Sequence, residues 1–307
     1  MPMNAKKDAS DKRPAQAAAP VLEIAVQDAC GAAVAAAAGA DRIELCAALG
    51  ATGGLTPSYG AIRLCAAVAA GAGAAGAAGA AGAAGAAGAD AVPPRIPLGV
   101  QALIRNRGGD FVYDADDRTM QLADIGPALE AGAAGVVVGG LRADGTIDED
   151  FARRLIDRAH EEAARLERAH VDMTFHRAFD MVPAAGRREA LETLIALGYT
   201  RVLTSGGAAS VPEGVDALAE LADWAGGRIQ IMAGGGLRPA DFARVAATGV
   251  DALHLSAKTV VRSAGGPGGG GDSAYERTDP QQVAAAVREV REIREARKVR
   301  EARAFES

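Results

Sequence analysis

Short apolar runs and longer amphipathic stretches alternate along most of the chain. Stretches such as 189–197 and 215–224 carry apolar residues at helical spacing, and a glycine often stands just before the next apolar run. This alternation is typical of strand–helix units in a parallel sheet. Eight runs have the character of such strands: 21–26, 42–46, 98–104, 135–141, 171–176, 201–205, 228–233 and 251–256.

Eight strand–helix units predict an α/β fold of one domain, a closed TIM-type (β/α)8 barrel, in preference to an open doubly wound sheet. We expect the barrel to span 21–303 and to end in a helix over 280–303, where Val283, Val287 and Val290 recur at three- and four-residue steps. Three further segments do not fit the pattern. They are predicted to be a disordered leader at 1–20, a flexible Gly/Ala-rich insertion at 71–89 and a Gly-rich loop near 265–272.

Composition narrows the classes of function. The 307 residues include 33 basic and 39 acidic ones, a net charge of −6, so a nucleic-acid partner is not expected. No stretch holds about 20 strongly apolar residues, which predicts that nothing spans a membrane. The start of the chain lacks the apolar segment of a secretory signal. Three cysteines form no disulfide framework in a chain of this length, and they fit a reducing cytoplasm.

Polar side chains interrupt strands that a barrel covers on both faces. A buried polar group is costly unless it is paired or functional, and alternate positions of a strand share one face. We therefore expect these side chains to meet in the barrel interior or at its carboxyl-terminal mouth, where barrel enzymes place their sites. They are Glu23, Glu44 with Cys46, Thr174 with His176, and His254 with Ser256.

The third strand ends in two arginines, a glycine pair and a carboxylate. Arg105 and Arg107 suit the recognition of an anion, because the guanidinium group can bind it through two parallel hydrogen bonds. Asp110 follows in the same loop. The alternative is structural: the two arginines would only neutralise Glu23 and Glu44.

The ends of the later strands add further candidates. His176, Arg177 and Asp180 lie within five residues at the end of the fifth strand, a spacing that favours a functional cluster over a structural histidine. The loops after the last strands of a barrel often hold a phosphate with backbone N–H groups. Ser205, Gly234, Gly235 and Ser256 stand at such positions, although glycine-rich turns are common in this chain.

The nucleophiles are few. Lys258 follows the eighth strand and is expected to contact solvent or an anion rather than form a Schiff base. Cys30 and Cys65 are predicted to be small buried hydrophobic residues on helices. Cys46 is the cysteine expected to be exposed at the mouth.

Taken together, these segments resemble the CutC family of copper homeostasis proteins. The resemblance covers 21–260 and the final helix, without the leader and the Gly/Ala-rich insertion. The segments that carry it are 40–46 (ADRIELC), 53–58 (GGLTPS), 104–111 (IRNRGGDF), 174–180 (TFHRAFD), 201–206 (RVLTSG), 231–236 (IMAGGG) and 254–257 (HLSA).

The resemblance implies a TIM-type barrel, a cytoplasmic homo-oligomer and a role in copper tolerance. The Cu(I) ligands proposed for the family are cysteines near the ends of the first two strands, and thiolates are the ligands that Cu(I) selects. Cys46 matches the second of these positions. The first strand has Ala25 and Val26 where family members can carry cysteine, and Asn106 replaces a proline found in relatives.

Two hypotheses follow. In the first, the protein binds copper(I) through Cys46, with Met232, a histidine or a second subunit as the candidate source of a further ligand. In the second, it is a barrel enzyme that acts on a small phosphorylated or carboxylated metabolite. The predicted acid–base residues of that enzyme are Glu23, Glu44, His176 and Asp180, and its predicted ligand-binding residues are Arg105, Arg107, Asp110, Arg177, Ser205, Gly234, Gly235, His254 and Ser256.

Overall fold

The structure is a computed structural model that describes residues 19–71, 94–262 and 274–305. Eight parallel strands pair in chain order, and the eighth pairs with the first, so the predicted closed barrel is confirmed. Each predicted run overlaps one strand. The strands are β1 Val21–Val26, β2 Arg42–Leu45, β3 Val100–Leu103, β4 Gly135–Val138, β5 Asp172–Phe175, β6 Arg201–Thr204, β7 Gln230–Gly234 and β8 Ala252–Leu255.

Helices connect the strands and form the outer layer. Local signals fix their ends: Asp28 caps the first helix by accepting the N–H of Gly31 at 2.7 Å, and Gly39 ends it at a φ of +92°. The helices are α1 Ala29–Ala38, α2 Leu49–Thr52, α3 Tyr59–Ala69, α4 Ala115–Glu130, α5 Glu149–Arg165, α6 Arg187–Leu197, α7 Val215–Ala225, α8 Phe242–Ala246 and α9 Pro280–Phe305.

The main hydrophobic core lies between the barrel and its helices. Leu45, Phe175 and Leu255 belong to this core, as expected for the apolar residues that alternate with the polar ones along their strands. The closing helix contributes Val283 and Val290, both buried. The alternation therefore directs polar side chains to the opposite face of each strand, which is the inside of the barrel.

The barrel interior is unusually polar for a packed core. Arg42 and Arg201 are almost completely buried there. Arg42 donates a hydrogen bond to Glu23, and Arg201 donates to Thr174 Oγ1 at 2.7 Å and to Gln230 Oε1 at 2.9 Å. These partners satisfy the two guanidinium groups without solvent, as buried charges require.

A two-stranded antiparallel hairpin follows the barrel. It consists of β9 Lys258–Arg262 and β10 Ala274–Thr278, and the ion pair of Lys258 with Glu276 at 2.7 Å joins its strands at the end near the mouth. The sequence pattern predicted a Gly-rich loop near 265–272 but not the two strands on either side of it. The predicted Gly-rich loop lies outside the described residues, as do the leader up to residue 18 and the insertion from residue 72 onward.

Candidate functional site

A cavity of about 690 Å³ opens at the carboxyl-terminal ends of the strands, where the alternating polar residues predicted a site. Its volume suits a small molecule. The loops that follow β2, β3, β5, β7 and β8 all contribute to its wall. The polar side chains that line it include Glu44, Thr52, Arg105, His176, Arg177, Arg238, His254, Ser256, Lys258 and Gln282.

One side of the cavity holds a chain of carboxylates and a histidine. Glu23 on β1 and His254 on β8 are paired in register, and the Nδ1 of His254 lies 2.7 Å from Glu23 Oε1. The Nε2 of the same ring lies 3.6 Å from Oε2 of Glu44. Arg42 donates to the other oxygen of Glu23 from behind. Both nitrogens of His254 therefore face carboxylates, an arrangement that suits the imidazolium form.

These contacts shift the pKa values of Glu23, Glu44 and His254. Burial alone would raise the pKa of Glu23, but the charge of Arg42 and the hydrogen bond with His254 lower it well below its usual range. Burial would lower the pKa of His254, but Glu23 and Glu44 outweigh it and raise that pKa. The pKa of Glu44 is raised, chiefly by its burial and despite the nearby His254. Glu44 and His254 thus lie side by side with raised pKa values and can serve as an acid–base pair.

His176 lies in a different environment at the same cavity. Its Nδ1 accepts a hydrogen bond from the backbone N–H of Ala178 at 3.2 Å, and its ring centroid lies 4.9 Å from that of Phe111. Burial and the charge of Arg105 lower its pKa to about 3. His176 is therefore a neutral imidazole, whereas His254 favours the charged form.

Arg105 is a buried cation whose hydrogen bonds all go to neutral groups. Its Nη1 donates to the carbonyl oxygens of Thr52 at 2.8 Å and Gly54 at 3.1 Å, and its Nη2 donates to that of Gly109 at 2.8 Å. The guanidinium group also lies over the ring of Phe111, 5.0 Å from its centroid. No carboxylate among the described residues forms an ion pair with it. Arg105 is only 5 % exposed and lines the cavity. Its charge therefore has no counter-charge among the described residues of the cavity wall.

Arg107 and Asp110 do not line this cavity. Arg107 donates to Asp117 on α4 at 2.7 Å and lies 3.3 Å from Asp110, whose side chain is largely exposed. The expectation that the two arginines of this loop would neutralise Glu23 and Glu44 is wrong. The partners of Glu23 come instead from neighbouring strands, because β1 lies between β2 and β8 in the barrel.

Asp180 organises the loop after β6. Its carboxylate accepts the side-chain hydroxyl and the backbone N–H of Ser205 at 3.0 and 2.9 Å, and the backbone N–H of Gly207 at 3.0 Å. It also accepts the Nε of Arg177 at 2.8 Å. Among the described residues at the mouth, Arg177 borders the cavity, whereas Asp180 and Ser205 lie behind it. Asp180 is thus placed to position Arg177.

The loops after β7 and β8 complete the wall. Gly235 borders the cavity, and a side chain there would meet Arg177, since an added Cβ would lie 2.7 Å from its Cζ. Gly234 lies deeper, against His254 and Leu203. Ser256 and Lys258 border the cavity after β8, and Lys258 also pairs with Glu276. The structure thus brings together Gly235, Ser256 and Arg177 as predicted.

Cys46 is fully buried, so the expectation of an exposed thiol at the mouth is wrong. It packs with Leu103 and Val137 inside the barrel. Burial and the neighbouring Glu44 raise the pKa of its thiol well above the usual range, whereas Cu(I) binds the thiolate. Cys65 is buried as predicted, but Cys30 is exposed. Within the described ranges, no three or more His, Cys, Asp or Glu side chains are grouped to hold a metal ion.

Sequence reasoning missed the inward-facing arginines and amides below the mouth. Arg42, Arg201 and Gln101 occupy the same alternating face as Glu23 and Glu44, and all three are buried. Extending the two-residue spacing from Glu44 back to Arg42 would have found the first of them. Their partners could not be found in this way, because the contacts join residues as far apart in sequence as Arg42 and Met232.

Comparison with known proteins identifies the family of the chain. The family model described as CutC family matches residues 20–75 and 61–259. The chain belongs to the CutC family. A family protein CutC of Rhizobium meliloti is 43% identical over 216 residues, which are 70% of this chain and 72% of that protein. A family protein CutC of Chromobacterium violaceum is 39% identical over 260 residues, 83% of this chain and 90% of that protein.

Solved structures agree with the CutC fold. A CutC protein from Streptococcus agalactiae, named provisionally as a copper homeostasis protein, is 26% identical with a TM-score of 0.63. The match covers 76% of this chain and 97% of that one. A provisional lyase or mutase from Burkholderia cenocepacia, 18% identical with a TM-score of 0.51 over 78% of this chain and 77% of that one, shares the fold alone. In the described part of this CutC chain, no helix is both long and apolar enough to cross a membrane.

Proposed function

We propose that this CutC protein binds a small anionic metabolite at the barrel mouth and performs acid–base chemistry on it. The observation that carries the proposal is Arg105, a buried cation at the cavity wall whose hydrogen-bond partners are neutral carbonyl groups. Buried charges in proteins are normally paired. A phosphate or carboxylate of the ligand supplies the counter-charge, and Arg105 has donor capacity left to meet it.

Other cations at the mouth support the same class of ligand. Arg177, Arg238 and Lys258 line the cavity with Arg105, and among the described lining residues Glu44 is the sole carboxylate. Arg177 and Lys258 are paired with carboxylates behind the wall, so they contribute less net charge than Arg105. Arg238 is largely exposed, and its nearest carboxylate, Asp241, lies 3.7 Å away. The resulting field attracts anions into the cavity.

The acid–base step is assigned to Glu44 and His254. Both line the cavity, and both have a pKa shifted upward, which brings Glu44 closer to neutral pH. Glu23 lies behind His254 and holds the ring in place through Nδ1, as the carboxylate does in other carboxylate–histidine pairs. Glu44 as a carboxylate can take a proton from a ligand, and the His254 imidazolium, whose Nε2 lies 3.6 Å from Glu44, can donate one to it.

Thermal-shift screening of phosphorylated and carboxylated metabolites tests this proposal. We expect at least one of them to raise the melting temperature of the wild type. Arg105→Gln removes the charge but keeps an amide donor for the loop carbonyls, and it should weaken binding by about 10- to 100-fold. Arg105→Lys keeps the charge and should lose less affinity.

The matched control is Arg154→Gln, which removes an exposed arginine of α5 on the outside of the barrel. It should bind the same ligand as tightly as the wild type. Equal affinity of Arg105→Gln and Arg154→Gln would overturn the assignment of the anion to Arg105. The absence of any anion that stabilises the wild type would overturn the proposed function itself.

Copper handling is the second candidate. The observations that favour it are the position of Cys46, two residues beyond Glu44 on β2, and the provisional name of the Streptococcus agalactiae relative. Its weakness is the protonated, enclosed thiol described above. Titration of Cu(I) into the wild type and Cys46→Ala tests it: tight binding by the wild type that the variant loses would support a copper site, and equal weak binding would exclude Cys46 as a ligand.

We also propose that the protein acts in the cytoplasm as a homo-oligomer, with neither nucleic acid nor a membrane as partner. The support is the acidic net charge of −6, the small number of cysteines and the family resemblance. Light scattering of the purified chain measures the oligomeric state, and a monomer at micromolar concentration would contradict it.

A further inference from the structure

One ring nitrogen of His176 has no partner. Because Nδ1 accepts the N–H of Ala178, the hydrogen of the neutral ring is on Nε2. This Nε2 is buried and makes no hydrogen bond to any described residue. The side chain is 5 % exposed and borders the cavity. A buried donor left without an acceptor is costly and needs an explanation.

The surrounding residues fix the position of this donor. An added Cβ at Gly139, directly after β4, would lie 2.6 Å from Cε1 and Nδ1 of the imidazole, so only glycine leaves room for the ring. Phe111 and Phe175 pack on it, with ring centroids 4.9 and 5.9 Å away. These three residues thus hold in place a ring that borders the cavity and carries an unsatisfied N–H.

The charge state of the ring indicates the kind of acceptor. Burial and the nearby Arg105 keep His176 neutral. A carboxylate or phosphate at Nε2 would draw a second proton onto the ring, which Arg105 opposes. A neutral imidazole N–H instead matches a carbonyl oxygen, whose polarisation it increases. The charged group of the same ligand then lies at Arg105.

We propose that the ligand of this cavity is an anion that also carries a carbonyl group, and that the carbonyl oxygen accepts a hydrogen bond from Nε2–H of His176. The proposal rests on the proposed function and narrows its substrate class. His176 is then a substrate-contacting residue rather than the acid–base residue predicted from the sequence.

The experiment compares anions that differ only in the carbonyl. The probes are pyruvate with lactate, 2-oxoglutarate with 2-hydroxyglutarate, and dihydroxyacetone phosphate with glycerol 3-phosphate, titrated into the full chain by calorimetry. We expect the carbonyl member of at least one pair to bind the wild type about tenfold more tightly than the alcohol, the effect of one hydrogen bond.

Two variants isolate the donor. His176→Phe keeps the ring packing but removes the N–H, and the carbonyl preference should fall to about one. His176→Gln places an amide N–H near the original Nε2 and should retain part of the preference. A melting curve of each variant shows that it is folded, and the comparison within each pair is made on one protein at a time.

The outcomes separate the two proposals. Equal binding of carbonyl and alcohol by the wild type, or a preference that survives His176→Phe, would overturn the carbonyl contact and leave anion binding intact. Failure of all six probes to bind the wild type would overturn the carbonyl class, whereas the anionic metabolite is overturned when no anion of the thermal-shift screen stabilises the wild type.

Discussion

The two histidines at the mouth show how one cavity can contain two opposite imidazoles. His254 lies between Glu23 and Glu44, and its pKa is raised. His176 faces a backbone N–H and Arg105, and its pKa is lowered to about 3. Both histidines are buried, with 5 % of His176 and 8 % of His254 exposed. Burial alone therefore does not decide the charge of a histidine, and the sign of the nearest ionised group does.

This difference divides the mouth into two parts with different chemistry. The part around His254 and Glu44 contains two groups with raised pKa values, His254 because its carboxylate neighbours outweigh its burial and Glu44 because of its burial. The part around His176 and Arg105 offers a neutral imidazole N–H and a positive charge, which can bind a ligand. Environments that push pKa values apart in this way are typical of acid–base sites.

The largest expected effect comes from breaking the charged part. Glu23→Gln leaves Arg42 buried without its carboxylate and removes the acceptor of His254 Nδ1. We expect a loss of about 3–5 kcal/mol in the free energy of unfolding, measured by urea denaturation at pH 7. The control is Glu192→Gln, which breaks the half-exposed pair with Arg228 and should change stability little. Similar losses in both variants would show that the buried contacts of Glu23 with Arg42 and His254 stabilise the protein no more than a surface ion pair does.

A smaller loss is expected when the neutral part is crowded. Gly139→Ala brings a methyl group against the imidazole of His176 and should destabilise the protein by about 1–3 kcal/mol. Gly60→Ala on α3 is the matched control, because nothing lies within 4 Å of its added Cβ. Equal unfolding midpoints in urea for the two variants would mean that the ring of His176 is free to move.

Lowering the pH should affect the two histidines differently. Through His176 it should lower the free energy of unfolding by about as much as the change of one core methyl group does. The pKa of His176 is about 3 in the folded protein and near 6.5 in the unfolded chain. Between these two pH values the unfolded chain binds more protons, so the free energy of unfolding decreases as the pH is lowered. From pH 6.5 to 4.5 this amounts to about 2 kcal/mol.

His176→Phe should lack this part of the loss, since it has no imidazole to protonate. His254 has the opposite sign: its stabilising contribution is present below pH 6.5 and is lost as pH rises through its raised pKa. Urea denaturation of wild type and His176→Phe at pH 6.5 and 4.5 measures the difference. Identical pH dependence of the two proteins would contradict a neutral, buried His176.

Much of the fold could be predicted from the sequence, because local patterns determine it. The two-residue alternation in runs such as 171–176 marked the strands, and the glycine before the next strand marked helix ends such as Gly198, which has a φ of +88°. The hairpin Lys258–Arg262 with Ala274–Thr278 was missed because charged residues interrupt its strands, and because 11 residues rich in glycine separate them.

The position of the candidate site could be predicted from the sequence, but the contacts between its side chains could not. The alternating polar residues identified Glu44, His176 and His254 as residues of the mouth, and the structure places all three along one cavity. Sequence could not assign Glu23 to Arg42 and His254, because the first contact depends on the register of β1 against β2 and the second on barrel closure between β1 and β8.

Which of these side chains are exposed could not be predicted from the sequence either. Arg105 and Arg107 stand two residues apart, yet Arg105 lines the cavity and Arg107 binds α4 through Asp117. Cys46 follows Glu44 on the same face but lies under Leu103 and Val137. The direction in which a loop turns after its strand decides these cases, and tertiary packing rather than residue spacing sets that direction.

The pH titration of the histidine side chains by 15N NMR tests the central claim most directly. The resonances of His176 and His254 are assigned by their absence from His176→Gln and His254→Gln. The account predicts that His254 titrates above pH 6.5, and that His176 stays neutral, with its proton on Nε2, at every pH where the protein remains folded down to about 4. Titration of both rings together near pH 6.5 would contradict it.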